Sequence, residues 1–128
     1  MIKEDYVSFE TAKLLKDKGF YIEDCFAFYK KNGEMGFLQT FGDIADYDSE
    51  TCVIAPTLQM AMKWLREVHH LVIQIEFIDF LEHGEVWLYS IIERKTIKIL
   101  TDRDENFTEH SYEEACEAAI MYCLENLI

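Results

Sequence analysis

The stretch 55–77, APTLQMAMKWLREVHHLVIQIEF, sets a helical pattern directly against a strand pattern, and this junction limits the folds open to the chain. Leu58, Met62, Leu65 and Val68 recur at spacings of three and four, with Ala61 and Trp64 widening the stripe. That period puts one face of a helix in a core, and Lys63, Arg66 and Glu67 fall toward the other side. Pro56 suits a first helical position, whose N–H would be unpaired in any case. Lys63, Arg66, His69 and His70 suit the negative end of the helix dipole. From Leu71 the period drops to two. Leu71, Ile73, Ile75 and Phe77 alternate with Val72, Gln74, Glu76 and Ile78, as in a strand with one strongly apolar face. Few residues remain for a connection, so the helix is expected to pack back across the sheet that holds its strand. Trp64, with Met60 and Met62, also fits a ligand pocket, but such residues at helical spacing usually fill core.

A chain of 128 residues, half of them apolar and 14% aromatic, is expected to build one α+β domain over residues 1–128. No apolar run reaches membrane-span length, and MIKEDYVSFE lacks the apolar centre of a signal peptide, so the expected setting is cytoplasmic, with no membrane partner. Net charge is −13, and about −7 of it falls in residues 101–128. So acidic a chain repels a phosphate backbone, which argues against direct nucleic-acid binding. The charge serves solubility on one reading and nucleic-acid mimicry toward a basic protein on another.

The remaining elements follow from local signals. Ser8 is an N-cap for a helix over 8–18, with Val7 and Ala12 placed for a hydrophobic staple. Gly19 stops that helix, and Phe20 is placed to fold back onto Leu15. Residues 25–40, CFAFYKKNGEMGFLQT, read as a hairpin turning at Asn32-Gly33, both of which accept positive φ, with arms of five or six residues. Residues 41–49 read as a solvated acidic loop. Asp43, Asp46, Asp48 and Glu50 are a carboxylate cluster of the kind that binds calcium or magnesium, but the spacing lacks the glycine and closing glutamate of a calcium loop. Residues 52–54 suit a short strand. Strands at 71–78, 86–92 and 96–100 form a meander, and residues 101–110 read as loop. Ser111 and Glu114 form a capping box for a last helix, with Ala115, Ala119, Tyr122 and Cys123 facing inward. The expected architecture is α+β: a mostly antiparallel sheet of about five strands, hairpin plus three-strand meander, with three helices packed on one face.

Catalytic patterns are absent from the sequence. Cys25, Cys52, Cys116 and Cys123 lack zinc-type spacing, and His69, His70, His83 and His110 complete no ligand set. No phosphate loop, dinucleotide fingerprint or nucleophile elbow occurs, and no cofactor or metal is expected. Cys52 is the one thiol with a case as a nucleophile: it precedes a helix start, which lowers a thiol pKa, and His69 or His70 at the far end of that helix supplies a base.

The segments DYVSFETAKLLKDKGF, APTLQMAMKWLREVH and SYEEACEAAIMYCLENLI together resemble a family of small uncharacterised proteins of Bacteroides and related gut bacteria, often in phage or mobile-element contexts. The resemblance implies a bacterial or phage origin and a cytoplasmic setting. It implies no activity and carries over no catalytic residue. The functional expectation is therefore a non-enzymatic protein-interaction module that binds a protein partner or itself through hairpin aromatics Phe26, Phe28, Tyr29 and Phe37. The alternatives are an acidic nucleic-acid mimic that inhibits a basic protein and, third, a cysteine-dependent enzyme centred on Cys52.

Overall fold

The computed structural model describes residues 2–22, 27–38, 48, 50–80, 84–101 and 108–128. Its class is α+β. The strands, expected in a single sheet, form two antiparallel sheets. The chain divides into two compact units, Met1–Gln59 and Met60–Ile128.

The first unit opens with α1, Phe9–Asp17, capped as its sequence predicts: the Ser8 hydroxyl accepts the Thr11 N–H at 3.2 Å. Its end is a full Schellman motif. Gly19 takes φ 86°, Phe20 N–H donates to the Leu15 carbonyl at 2.9 Å, and Gly19 N–H donates to Lys16 at 3.1 Å. Leu15 and Phe20 are both buried, as are Val7 and Ala12 of the staple. The hairpin arms are β1, Ala27–Tyr29, and β2, Met35–Phe37, each three residues rather than five or six. β3, Val53–Ile54, pairs with the other side of β1.

The hairpin turn lies where Asn32-Gly33 puts it but has a different build. Only Gly33 has positive φ, at 89°. Gly33 N–H donates to Lys30 at 2.8 Å and Lys30 N–H to Glu34 at 2.7 Å. The result is a three-residue loop with a left-handed glycine in its last place. Asn32 contributes its side chain instead, accepting the Glu34 N–H at 3.0 Å.

Pro56 also departs from expectation. The second helix, α2, spans Leu58–Val68, so Pro56 stands outside it. Extended pairing takes those residues first: Val7 N–H donates to the Pro56 carbonyl, Tyr6 bridges Thr57, and Leu58 N–H donates to Asp5. Leu58, Ala61, Met62 and Leu65 are buried along α2, whereas Val68, assigned by its spacing to the same stripe, is exposed.

In the second unit, α2 gives way to β4, Leu71–Phe80, through a two-residue turn in which His70 takes φ 59°. A left-handed residue reverses the chain in minimal length, and histidine is among the side chains that tolerate it. β4 pairs along all ten residues with β5, Gly84–Glu93. The opposite edge of β5 holds two short strands in succession. β6, Lys98–Ile99, pairs at Ile92 and Glu93, and β7, Thr108–Glu109, pairs at Trp87 and Leu88. β7 falls within the stretch read as loop. Two-residue pairing leaves no periodicity for a sequence to display.

α3, Tyr112–Tyr122, packs against β4 and β5. It buries Ala115, Cys116, Ala119 and Ile120, and the π-helical turn that follows, Cys123–Leu127, buries Cys123 and Leu124. Ser111 caps α3 through the Glu114 N–H at 3.1 Å. Glu114 reaches back to the His110 N–H at 3.2 Å, one residue earlier than the capping box predicts. Among the described residues no helix is long and apolar enough to cross a membrane.

Candidate interaction surface

The hairpin aromatics do not form one exposed patch. Phe28 is fully buried and belongs to the core of the first unit, which corrects its assignment to a surface. Phe28 stands on the middle strand of its sheet, opposite Gly36 and Ile54, and a side chain leaving the middle of a sheet against which α1 packs is covered where one on a free hairpin arm is not. Tyr29 is half-buried: its hydroxyl donates to the Val7 carbonyl, and its ring lies 5.5 Å from that of Phe9. Phe37 is 37% exposed, with its ring edge-on to Tyr6 at 6.0 Å. Phe26 lies outside the described residues, as do Cys25, His83 and all of residues 41–49 except Asp48.

Cys52 is 5% exposed, and its Sγ accepts the Asp48 N–H at 3.5 Å. Asp48 organises the turn into β3: its carbonyl accepts from Thr51 and Cys52, and its carboxylate from Glu50. Cys52 belongs to the first unit and His69 and His70 to the second. Burial pushes the Cys116 thiol up to about 11 and the Cys123 thiol up to about 12. Among the described residues no three His, Cys, Asp or Glu side chains stand together as a metal site.

The helix–strand junction of the second unit carries a second group of titratable residues. The His69 ring stands edge-on to Trp64 at 4.6 Å, and its buried Nε2 has no hydrogen-bond partner among the described residues. Desolvation and the neighbouring His70 hold the His69 pKa below its ordinary 6.5. Glu67 receives Arg66 at 3.6 Å and Arg94 at 3.5 Å.

The broader surface is the distal half of the β4–β5 ribbon. One face of the ribbon carries Ile73, Ile75 and Phe77 of β4 opposite Ile91, Tyr89 and Trp87 of β5. Aromatic contacts run from Phe77 to Trp87 at 4.9 Å and from Trp87 to Tyr112 of α3 at 5.7 Å. Burial fades toward the ribbon tip. Ile91 is fully buried, Trp87 is half-buried, and Phe77 is 50% exposed. Gln74, Asp79 and Glu85 are exposed beside it. The apolar period of β4 predicts a buried Phe77. The polar residues that interrupt the second half of the strand were the available sign that its burial fails there.

At the opposite end of the ribbon, by the β5–β6 turn, two further apolar side chains are exposed, Ile97 at 78% and Ile99 at 47%. Thr96 donates its hydroxyl and its N–H to the Glu93 carboxylate at 2.6 and 2.7 Å, which holds the Glu93 pKa below its ordinary range. Ile97 follows at φ 58°, a conformation a β-branched residue rarely takes. No family model, curated protein or solved structure matches the chain.

Proposed function

We propose that this chain is a non-enzymatic protein-interaction module, cytoplasmic and of phage or mobile-element origin, that binds through the distal half of the β4–β5 ribbon. The observation that carries the reading is Phe77, a large aromatic half open to solvent and backed by Trp87 and Tyr112. Aromatic anchors on a packed base are favoured in interface cores, because little side-chain freedom is lost when they are covered. The buried Cys52 thiol lends the enzymatic alternative no support.

A tagged pull-down from bacterial lysate, run at low and high salt with Phe77→Ala as control, tests the reading. One partner held at both salts and lost with Phe77→Ala is the expected result. Recovery of no partner at either salt rejects it. The acidic-mimic reading draws on a separate observation: no Lys or Arg follows Arg103, and Glu113 and Glu114 are exposed in the first turn of α3. A nucleic-acid-binding partner released at high salt and indifferent to Phe77→Ala selects that reading instead.

A further inference from the structure

Strand β4 is the edge of its sheet, and the structure tells which of its backbone groups face outward. Arg94 N–H donates to the His70 carbonyl at 2.8 Å, so residues 70 and 94 are a hydrogen-bonded pair. Such pairs alternate along an antiparallel ladder. Stepping inward through the register, Val72, Gln74, Glu76 and Ile78 turn their N–H and C=O toward β5. Leu71, Ile73, Ile75, Phe77 and Asp79 turn theirs to the open edge. The phase is confirmed from the other side of β5. Ile91, opposite Ile73, spends its backbone groups away from β4: its carbonyl accepts Leu100 N–H at 2.8 Å and its N–H meets Thr101 Oγ1 at 3.4 Å.

An edge this long is ordinarily guarded by proline, a bulge or lysine, because it templates further pairing. β4 has none of these through ten residues paired without interruption. No backbone hydrogen bond to Ile73, Ile75, Phe77 or Asp79 comes from outside the ladder among the described residues. Residues 71–93 contain five carboxylates and no Lys or Arg. Asp79 lies directly opposite Glu85, both exposed, on a non-hydrogen-bonded pair where side chains come closest. Like charges so placed repel each other.

The geometry points to strand addition: the open edge of β4 accepts an extended segment of another protein, with an apolar side chain beside Phe77 and a Lys or Arg beside Asp79. This rests on the interaction-module reading and names its partner. Main-chain hydrogen bonds to Ile73, Ile75 and Phe77 supply affinity, and the alternate side chains supply selection. The charge distribution argues for a cationic segment over a second copy of this chain. A second copy would set another Glu76 and Asp79, and no Lys or Arg, along the same edge.

The test uses the full chain and an N-acetylated, amidated heptapeptide, Lys-Val-Val-Lys-Val-Val-Lys, with its Glu-for-Lys counterpart as control. The cationic peptide is expected to bind and to slow amide exchange at Ile73, Ile75 and Phe77, leaving Val72 and Gln74 unchanged because β5 already holds them. Phe77→Pro removes an outward N–H, which an edge strand tolerates. Relative to Phe77→Ala, which loses the ring but keeps the N–H, it is expected to weaken binding by a further factor of roughly ten, the equivalent of one to two main-chain hydrogen bonds. Asp79→Lys, an exposed change that leaves the ladder intact, is expected to reverse the preference between the two peptides. Binding without altered exchange at the outward amides overturns strand addition, and so does absence of binding. Protection of the same amides by self-association without peptide also overturns it. A lysate partner that is lost with Phe77→Ala but leaves the outward amides of Ile73, Ile75 and Phe77 unprotected when bound overturns strand addition while leaving the interaction module intact, so the two readings fail separately.

Discussion

The His70 carbonyl receives the Arg94 N–H at 2.8 Å while His70 itself sits at φ 59°. One residue thus ends α2, turns the chain into β4 and starts the ladder with β5. The direction in which every later backbone group of β4 points follows from this bond.

The imidazole next to it carries a pH dependence. His69 titrates below 6.5 in the folded chain, owing first to desolvation and then to His70. In the unfolded chain it titrates near the ordinary value, so on acidification the unfolded state takes up the proton first. Its contribution to stability is complete above about pH 6.5 and is lost as pH falls through the lower folded value. Glu67, Arg66, Arg94, His70 and Glu93 are the charged groups around the junction. Thermal unfolding followed from pH 7.5 to 5 should show a falling midpoint, and His69→Phe should flatten that part of the curve.

Gly33 and Gly19 share a left-handed backbone but differ in surroundings. A Cβ on Gly19, at φ 86°, meets nothing within 4 Å. A Cβ on Gly33, at φ 89°, lies 3.1 Å from Phe9 Cδ2. Gly19→Ala is expected to cost about 1 kcal/mol for the backbone conformation alone. Gly33→Ala should cost about 2 kcal/mol, since the Phe9 ring must also give way. Urea denaturation of both variants checks the order, and equal losses would rule out the crowding at Phe9.

Ile97 works against the fold. It is 78% exposed, so little burial is lost with its side chain, and its φ of 58° is unfavourable for a β-branched residue. Ile97→Asn is expected to stabilise the chain by about 1 kcal/mol, because asparagine enters this region readily. The Ile97 N–H donates to the Glu93 carbonyl at 2.8 Å, a bond the substitution keeps. A lower urea midpoint for the variant would refute the strain argument.

The thiols of the last helix should be silent in the native state. With values near 11 for Cys116 and near 12 for Cys123, almost none is thiolate at pH 7.5. Iodoacetamide followed by peptide mass spectrometry should leave both unmodified until denaturant is added. Cys52, 5% exposed, should behave likewise, and its fast alkylation in the folded chain would revive the cysteine-enzyme alternative.

Local signals located most of the elements, because each depends on residues a few positions apart. The Ser8 and Ser111 caps, the Gly19 stop with Phe20 behind it, and the change of period at Leu71 each reach no farther than one turn of chain. The same locality explains the errors. Pro56 carries a helix-start signal, yet residues 5–7 claim its neighbourhood from about fifty positions away. Val68 keeps the spacing of a core residue yet is 55% exposed.

By itself, then, the sequence determined an α+β chain in which a helix leads into a long strand, a hairpin turns at Gly33, and the charge is strongly negative. Only the tertiary structure decided that the strands divide into two sheets, that Phe28 is covered while Phe77 is half exposed, and that β4 is the edge strand of its sheet among the described residues. Periodicity reports that a residue is apolar and which face of its own element it occupies. Whether another element arrives to cover that face or pair with that edge depends on contacts between distant parts of the chain, which no local pattern encodes.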